Sequence, residues 1–256
     1  MSHAPVILIH GAANSAGVWR FWQHELAKHG WRSEAIDLRG HGRAAPLDLS
    51  STSMANYAAD VAARVAEQPT HPILVGWSMG GLVALMVAAT GAARACVGLA
   101  PSAPARSIDP SIALQTGEFG PEEYGIVGRD PAQQPAMPDL DREERLIALG
   151  SLGRESRLAR SERQRGIVIT DMPCPLLIVT GTRDTDWPRD RYADLHLSAT
   201  HLRVEGASHW GLVLNRRVLP GLVARVAQWM ETGTMAAAHE SDGPADGDPA
   251  RPAGSG

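Results

Sequence analysis

The sequence has a single lysine, Lys28, and only two cysteines, Cys96 and Cys174, among its 256 residues. The cysteines have neither the spacing of a metal site nor the number that a disulfide framework needs, so they indicate a reducing compartment. A net charge of −4 argues against a nucleic-acid-binding protein, which would carry an excess of positive charge. No apolar run is long enough to span a bilayer, and residues 1–5 lack the apolar stretch of a signal peptide. These absences predict a cytoplasmic protein without nucleic-acid or membrane partners.

The rest of the composition is that of an ordinary globular chain. Hydrophobic residues make up 44% of the sequence and charged residues 20%, which excludes fibrous and membrane classes. A chain of this length can bury one sizeable α/β core. The composition leaves the oligomeric state open.

The most informative stretch is residues 76–81, Gly-Trp-Ser-Met-Gly-Gly, which reads G-x-S-x-G. An apolar run precedes it at 73–75 and another follows at 82–87, so the pattern predicts a strand, a tight turn and a helix. That order lifts a serine hydroxyl off the end of a strand, as a nucleophile requires. Glycine and serine are common in turns, so a glycine-rich connection without catalytic function is the alternative. The flanking strand and helix favour Ser78 as a nucleophile.

Strands and helices alternate along most of the chain. Apolar runs typical of buried strands lie at 5–9, 31–38, 72–75, 95–100, 175–180 and 201–204. Helical patterns lie at 18–30, 54–66, after Ser78, and at 212–230, where Pro220 and Gly221 interrupt the pattern. This alternation indicates right-handed βαβ units and a parallel sheet.

The alternation breaks at about residues 101–165, which are polar and too long for a connecting loop. Helical patches at 139–149 and 155–165 predict a small helical cap insertion over the strand ends. The last 23 residues, 234–256, lack a pattern of large apolar side chains, so we expect a disordered tail. The domain prediction is therefore a single domain over residues 1–233 with the cap inserted, followed by the tail.

Arginines cluster near the end of the insertion, interleaved with Glu155 and Glu162. They are Arg154, Arg157, Arg160, Arg163 and Arg165. We interpret this cluster as a solvated helix face with i,i+4 ion pairs. Binding of an anionic substrate group is the alternative.

A serine hydroxyl needs an adjacent base to act as a nucleophile at neutral pH, and histidine titrates nearest that range. Among the ten histidines, His209 follows the last predicted strand on a Gly-Ala-Ser loop. It therefore lies at the carboxyl edge of the sheet, where Ser78 also lies and where open α/β sheets bind ligands. A surface-loop histidine is the alternative interpretation of His209. Two carboxylates, Asp184 and Asp186, follow the preceding strand and could both reach that edge, since residues two apart in an extended segment point the same way.

Five segments together resemble the α/β-hydrolase family. They are residues 8–11 (Leu-Ile-His-Gly), 37–42 (Asp-Leu-Arg-Gly-His-Gly), 76–81 (Gly-Trp-Ser-Met-Gly-Gly), 181–184 (Gly-Thr-Arg-Asp) and 206–210 (Gly-Ala-Ser-His-Trp). The resemblance covers about residues 5–231 and is to the compact form without the two leading antiparallel strands. It implies an α/β fold with a mostly parallel sheet of about six strands and helices on both faces.

The same resemblance implies the functional residues. The family order of serine, acid and histidine, with the G-x-x-D register from Gly181, favours Asp184 over Asp186 as the acid that orients His209. The backbone N–H of Met79, directly after the nucleophile, supplies one donor of the oxyanion hole. Ala12 is at the position that supplies the second donor in the similar enzymes.

These observations predict a serine hydrolase that cleaves a carboxylic ester of a small to medium molecule through an acyl-enzyme, without a metal or organic cofactor. Lactonases, carbon–carbon bond hydrolases and cofactor-free haloperoxidase relatives share the same triad, so the sequence leaves them open. A hydrolase-fold receptor with slow turnover is the alternative from another class.

Overall fold

The computed structural model describes the backbone of residues 3–241 and the side chains of residues 3–233. Its strands are β1 (Val6–Ile9), β2 (Ser33–Ile36), β3 (Ile73–Trp77), β4 (Ala95–Leu99), β5 (Glu118–Phe119), β6 (Glu155–Ser156), β7 (Leu176–Gly181) and β8 (Thr200–Val204). Six of these form one sheet in the order β2-β1-β3-β4-β7-β8, and every neighbouring pair in it is parallel. The predicted six-stranded parallel sheet is confirmed. The short β5 and β6 pair antiparallel in a separate sheet.

The four central strands are buried along their whole length, which explains their continuous apolar sequences. The edge strand β2 is only half-buried and is shorter than the predicted 31–38. Its ladder ends before Leu38 because the N–H of Leu38 donates to the His10 imidazole instead of to a strand.

Helices cover both faces of the sheet, as predicted. They are α1 (Arg20–Lys28), α2 (Met54–Ala66), α3 (Met79–Ala88), α4 (Arg142–Gly150), α5 (Arg157–Arg165), α6 (Gly211–Leu214) and α7 (Leu219–Ser241), with 3-10 turns at Ala16–Trp19, Pro121–Tyr124 and Arg189–Tyr192. One core contains Trp22 of α1 and Val223 of α7, and the other contains Tyr57 of α2 and Leu82 of α3. No helix in the described part of the chain is both long enough and apolar enough to cross a bilayer.

The closing helical pattern forms two helices instead of one. The break falls at residues 215–218. Pro220 lies in the first turn of α7, where backbone N–H groups have no acceptor within the helix, so the missing N–H of proline costs no hydrogen bond. The backbone of α7 continues to Ser241, past residue 233, where we expected order to end. The rest of the expected disordered tail, residues 242–256, lies outside the described residues.

Residues 101–165, the predicted cap insertion, contain β5, α4, β6 and α5. The α4 helix begins with a capping box, in which Asp141 accepts the N–H of Glu144 and Glu144 accepts the N–H of Asp141. The second helix begins at Arg157, two residues later than predicted, because Ser156 caps it by accepting the N–H of Ala159. The residues before this cap pair as β6.

Candidate active site

Ser78 occupies a strained turn between β3 and α3. Its φ is 56° and its ψ is −121°, a conformation that a non-glycine residue adopts only when its surroundings hold it. Those surroundings are the end of β4 and the segment after it: the N–H of Ser78 donates to the Leu99 carbonyl at 3.0 Å, and its carbonyl accepts the N–H of Ser102 at 2.9 Å. The turn therefore projects the Ser78 side chain from the carboxyl edge of the sheet.

Close backbone packing explains the glycines around Ser78. A Cβ on Gly76 would lie 2.2 Å from the Gly80 carbonyl oxygen, and one on Gly80 would lie 2.2 Å from the His10 carbonyl oxygen. No side chain fits at either position. The two glycines let the start of α3 approach both β3 and β1.

His209 and Asp184 are in direct contact. The Nδ1 atom of His209 lies 2.8 Å from Oδ2 of Asp184, while Oδ1 of Asp184 accepts the N–H groups of Asp186 and Trp187 at 2.9 Å each. An ionised carboxylate only accepts hydrogen bonds, so His209 carries a proton on Nδ1 and its Nε2 is free to act as a base. Asp184 is buried, whereas Asp186 is exposed.

The pKa of Asp184 reflects two opposing influences. Burial raises it, but the hydrogen bond and charge of His209, together with the two N–H groups, outweigh burial, and the net pKa lies below the ordinary value. Asp184 is therefore a fixed negative charge beside the imidazole.

Ser78 and His209 line the same cavity. Within residues 3–233, no hydrogen bond joins the Ser78 hydroxyl to the imidazole. Trp77 holds the histidine loop, since its Nε1 donates to the His209 carbonyl at 3.1 Å and its ring lies 5.1 Å from the imidazole ring. The structure thus brings the serine, histidine and aspartate predicted from sequence to one edge of the sheet.

The two predicted oxyanion donors also lie at this edge. Over the described side chains and backbone, neither the N–H of Ala12 nor that of Met79 donates to another protein atom, and Ala12 lines the cavity. His10 orients the Ala12 N–H: its Nδ1 donates to the Gly11 carbonyl at 2.8 Å, and its Nε2 accepts the N–H of Leu38 at 3.1 Å. In a trans peptide the C=O and N–H point in opposite directions, so holding the Gly11 carbonyl directs the Ala12 N–H away from the imidazole.

His10 remains neutral in this position. Burial, and then the neighbouring charge of His41, lower the pKa of His10 to about 4. A neutral ring with its proton on Nδ1 is the form that both hydrogen bonds require.

The cavity has a volume of about 1110 Å³ and lies between the sheet edge and the cap. Four arginines, Arg160, Arg163, Arg183 and Arg191, and two acids, Glu123 and Asp186, line it. Arg160 is paired with Glu123. Among the side chains that the structure describes, neither Arg183 nor Arg191 is within ion-pair distance of a carboxylate. The cavity therefore has an excess of positive charge.

Asp184, Asp186 and His209 are the one set of candidate metal ligands in the described part of the chain whose ligand atoms all lie within 4.8 Å of one another. Asp184 in this set already accepts three hydrogen bonds from protein groups. Hydrogen bonding therefore accounts for the arrangement.

The interpretation of the arginine cluster is wrong for one of its acids. Glu155 is fully buried, not solvated: Oε2 accepts the N–H of Ala13 at 2.9 Å, and Oε1 accepts the Tyr57 hydroxyl at 2.6 Å. Among the ion pairs of the described side chains, none joins these arginines to an acid at i,i+4; Arg157 and Arg160 both contact Glu123 instead.

A second cap carboxylate that the sequence did not reveal contacts the histidine loop. Oδ2 of Asp139 accepts the N–H of Ser208 at 3.0 Å, and its Oδ1 accepts the Ser208 hydroxyl. The partners are 69 residues apart here and 142 residues apart for Glu155 and Ala13. No local pattern signals contacts between such distant residues.

Comparison with known proteins identifies the class. The model of the alpha/beta hydrolase family matches residues 6–219, so the chain belongs to that family, and the predicted resemblance is confirmed.

Two groups of relatives add detail. The chain is 31% identical to the pimeloyl-[acyl-carrier protein] methyl ester esterase of Pectobacterium carotovorum subsp. carotovorum (strain PC1), over 90% of this chain and 84% of that protein. The corresponding enzyme of Yersinia enterocolitica is 30% identical over 78% of this chain and 73% of its own length. Among solved structures, a methylesterase protein MES16 from Arabidopsis superposes with a TM-score of 0.68 at 17% identity, covering 88% of this chain and 99% of that one. The protein is a carboxylic ester hydrolase.

Proposed function

We propose that the protein hydrolyses the methyl ester of a medium-length carboxylic acid, with Ser78 as nucleophile, His209 as general base and Asp184 as the acid that orients it. The observation that carries this proposal is the 2.8 Å contact between His209 Nδ1 and Asp184 Oδ2, which leaves Nε2 free at the cavity that Ser78 also lines. The relatives reported above are named as methyl ester esterases, which supports methanol as the leaving alcohol.

The reaction begins when Nε2 of His209 takes the proton of the Ser78 hydroxyl and Oγ attacks the ester carbonyl carbon. The carbonyl oxygen becomes an oxyanion that accepts the N–H groups of Ala12 and Met79. Asp184 stabilises the imidazolium formed in this step. When the tetrahedral intermediate collapses, the C–O bond to the alcohol breaks, and His209 returns its proton to the departing alkoxide oxygen. Water, activated by the same imidazole, then hydrolyses the acyl-enzyme.

The cavity indicates what kind of acid the substrate carries. A volume of about 1110 Å³ accommodates an acyl chain of medium length in addition to the ester group. Arg183 and Arg191 supply positive charge there without a carboxylate partner among the described residues. These features favour an acyl portion with a negatively charged group remote from the ester.

The test uses Ser78→Ala and a panel of methyl esters of increasing acyl length, run beside a lactone and a β-diketone. We expect many turnovers on methyl esters for the wild type and a loss of kcat of roughly 10⁵-fold or more for the variant, since removing a triad serine costs about that much. An organophosphonate should label Ser78, as read by mass spectrometry. Faster turnover of the lactone or the β-diketone would overturn the ester assignment, and a single turnover would indicate a receptor.

A further inference from the structure

The loop that carries Ala12 is held by the cap at three points. Oε2 of Glu155 accepts the N–H of Ala13 at 2.9 Å, and the N–H of Gly153 donates to the Ala13 carbonyl at 2.9 Å. The hydroxyl of Ser151 donates to Oδ1 of Asn14 at 2.8 Å. All three cap contacts are therefore made by residues 151–155 and reach the two residues after Ala12.

These contacts hold a backbone conformation that the sequence alone does not favour. Ala13 has a φ of 54°, in the left-handed region that alanine rarely adopts because its Cβ crowds the backbone. The peptide between Ala12 and Ala13 is fixed on both sides, since Glu155 accepts its N–H and Nδ2 of Asn14 donates to its carbonyl at 3.0 Å. Without these partners, Ala13 would relax to a more common conformation and rotate this peptide.

The Glu155 carboxylate is itself rigidly placed. It is fully buried, and its Oε1 accepts the Tyr57 hydroxyl at 2.6 Å and the N–H of Ser156 at 2.7 Å. Nε2 of His41 lies 3.6 Å from Oε2. These polar neighbours are hydrogen-bond donors or, for His41, a group that can be positively charged, so the ionised acid suits the site.

We propose that Glu155 is a positioning residue for the oxyanion hole: it fixes the peptide that follows Ala12, while His10 fixes the peptide that precedes it, and together they aim the Ala12 N–H. This inference rests on the proposed function, because it assumes that Ala12 is an oxyanion donor. Its consequence is that the cap, although it supplies no reacting group, completes the hole.

The substitution Glu155→Gln keeps the size of the side chain and removes its charge. Where the amide oxygen stays on Tyr57 and Ser156, the side-chain NH₂ faces the Ala13 N–H, and that hydrogen bond is lost. Where the oxygen stays on Ala13 instead, the acceptor is neutral and the hydrogen bond is weaker, because hydrogen bonds to an ionised carboxylate are the stronger ones. The variant also removes the negative charge beside His41, which the variant Glu155→Asp retains.

A matched control is available in Glu162→Gln. Glu162 also lies in the cap and also holds a core backbone N–H, that of Met54, at 2.6 Å. Met54 begins α2 and does not line the cavity. Both variants therefore remove a cap carboxylate that accepts a core N–H, and only one of the two contacts is at the oxyanion loop.

The measurements are kcat and KM on a methyl ester, the inhibition constant of an aryl trifluoromethyl ketone, and unfolding by urea. The Ser78 oxygen adds to the carbonyl carbon of this ketone, and the resulting hemiketal places an oxyanion in the hole. The affinity for the ketone therefore measures how well the hole binds an oxyanion. For Glu155→Gln we expect kcat to fall roughly 10- to 100-fold, less than the roughly 10²- to 10³-fold cost of deleting an oxyanion donor. We expect the ketone to bind more weakly by a similar factor and KM to change little. For Glu162→Gln we expect kcat and ketone affinity to stay within about twofold of the wild type, a small change beside the cost of deleting an oxyanion donor.

Equal ketone affinity in wild type and folded Glu155→Gln would overturn the proposal, as would equal losses in the two glutamine variants. If Glu155→Gln does not fold, Glu155→Asp keeps the charge beside His41 but is one methylene too short to reach Ala13 and Tyr57 together. It should show the same loss of kcat and ketone affinity, and wild-type values would contradict the inference. Ser78→Ala distinguishes failure of the Glu155 inference from failure of the proposed function, because full activity in that variant would overturn the proposed function itself.

Discussion

The carboxyl edge of the sheet and the cap contribute to the site in different ways. The sheet edge supplies Ser78, Asp184 and His209 from three loops that each follow a parallel strand. The cap supplies Glu155 and Asp139, whose carboxylates accept backbone N–H groups directly beside two proposed site residues, Ala12 and His209. One region carries the proposed reacting groups, and the other holds the loops on which they lie.

This difference between the sheet edge and the cap shows what positions the groups of the site accurately. A group that directly follows a buried strand is placed by the sheet, because parallel strands bring their carboxyl ends to one edge. A loop that presents N–H donors has no such support, so contacts from another part of the chain must hold its backbone. A buried carboxylate suits this purpose, because it accepts several N–H or O–H groups through charge-assisted hydrogen bonds.

The largest effect should come from the sheet edge, in Asp184→Asn. An asparagine amide can donate to Nδ1 of His209 and so favours the wrong tautomer, and we expect kcat to fall by about 10⁴-fold with the fold intact. Steady-state kinetics and circular dichroism measure the two outcomes. The matched control is Asp186→Asn, whose exposed carboxylate makes no hydrogen bond to His209 among residues 3–233, and we expect little change in kcat. The opposite ranking of the two variants would reverse the assignment of the acid.

A second prediction concerns His10, which belongs to the sheet edge and supports the same oxyanion loop as Glu155. Its pKa is about 4 in the folded protein, against 6.5 for the free side chain. Between these values the unfolded chain binds a proton that the folded protein does not, so stability should decrease as the pH falls from 6.5 to 4. The linkage relation gives a contribution of about 3 kcal/mol over the whole window.

Urea unfolding of the wild type and of His10→Asn at several pH values measures this contribution. The variant removes the titrating group, so its free energy of unfolding should fall less steeply between pH 6.5 and 4. His41 titrates in the other direction: burial lowers its pKa, but the charge of Glu155 outweighs burial and raises it above 6.5. The stability from His41 is fully present below pH 6.5 and is lost as the pH rises through its folded pKa. Identical slopes for wild type and variant in the acidic window would show that His10 is not held neutral by burial.

The smallest effect that we predict comes from the cap, in Asp139→Asn. The three groups around this carboxylate, the Ser208 N–H, the Ser208 hydroxyl and the Asn215 amide, all donate to it. An asparagine oxygen can still accept the two N–H groups, and its NH₂ can donate to the Ser208 hydroxyl, so the change removes the charge of the acceptor and keeps the hydrogen bonds. Because hydrogen bonds to a charged acceptor are the stronger ones, we expect a loss of about 1 kcal/mol in the free energy of unfolding. Chemical denaturation measures this loss, with wild-type stability as the contradicting result.

Much of the site was predictable because its signals are local. The G-x-S-x-G turn indicates Ser78 as the candidate nucleophile from residues that are adjacent in the chain, and the loops after β7 and β8 place Asp184 and His209 at the same edge. The choice of Asp184 over Asp186 depended on motif register, since alternation could not separate them. The structure separates them physically: Asp184 is buried against the imidazole, and Asp186 is exposed.

The arginine-rich segment shows where local reasoning fails. Glu155 lies between Arg154 and a helix-capping serine, and its neighbours in sequence resemble a solvated surface. It is buried because its carboxylate lies between Tyr57 of α2 and the Ala12 loop, where it accepts the Tyr57 hydroxyl and the N–H of Ala13. Periodicity describes one helix or strand at a time and carries no information about which distant loop a side chain will meet.

The sequence by itself determined the order of strands and helices, the parallel sheet, and the serine, aspartate and histidine at its carboxyl edge. The sheet follows from apolar periodicity, and Ser78 and His209 follow from their places after predicted strands, whereas the choice of Asp184 came from the resemblance of the segment at Gly181 to the family's motif. Only the tertiary structure decided which cap carboxylates hold the loops of Ala12 and His209. Those contacts join residues 142 and 69 positions apart, and they exist only after the cap has folded onto the sheet and removed the carboxylates from water.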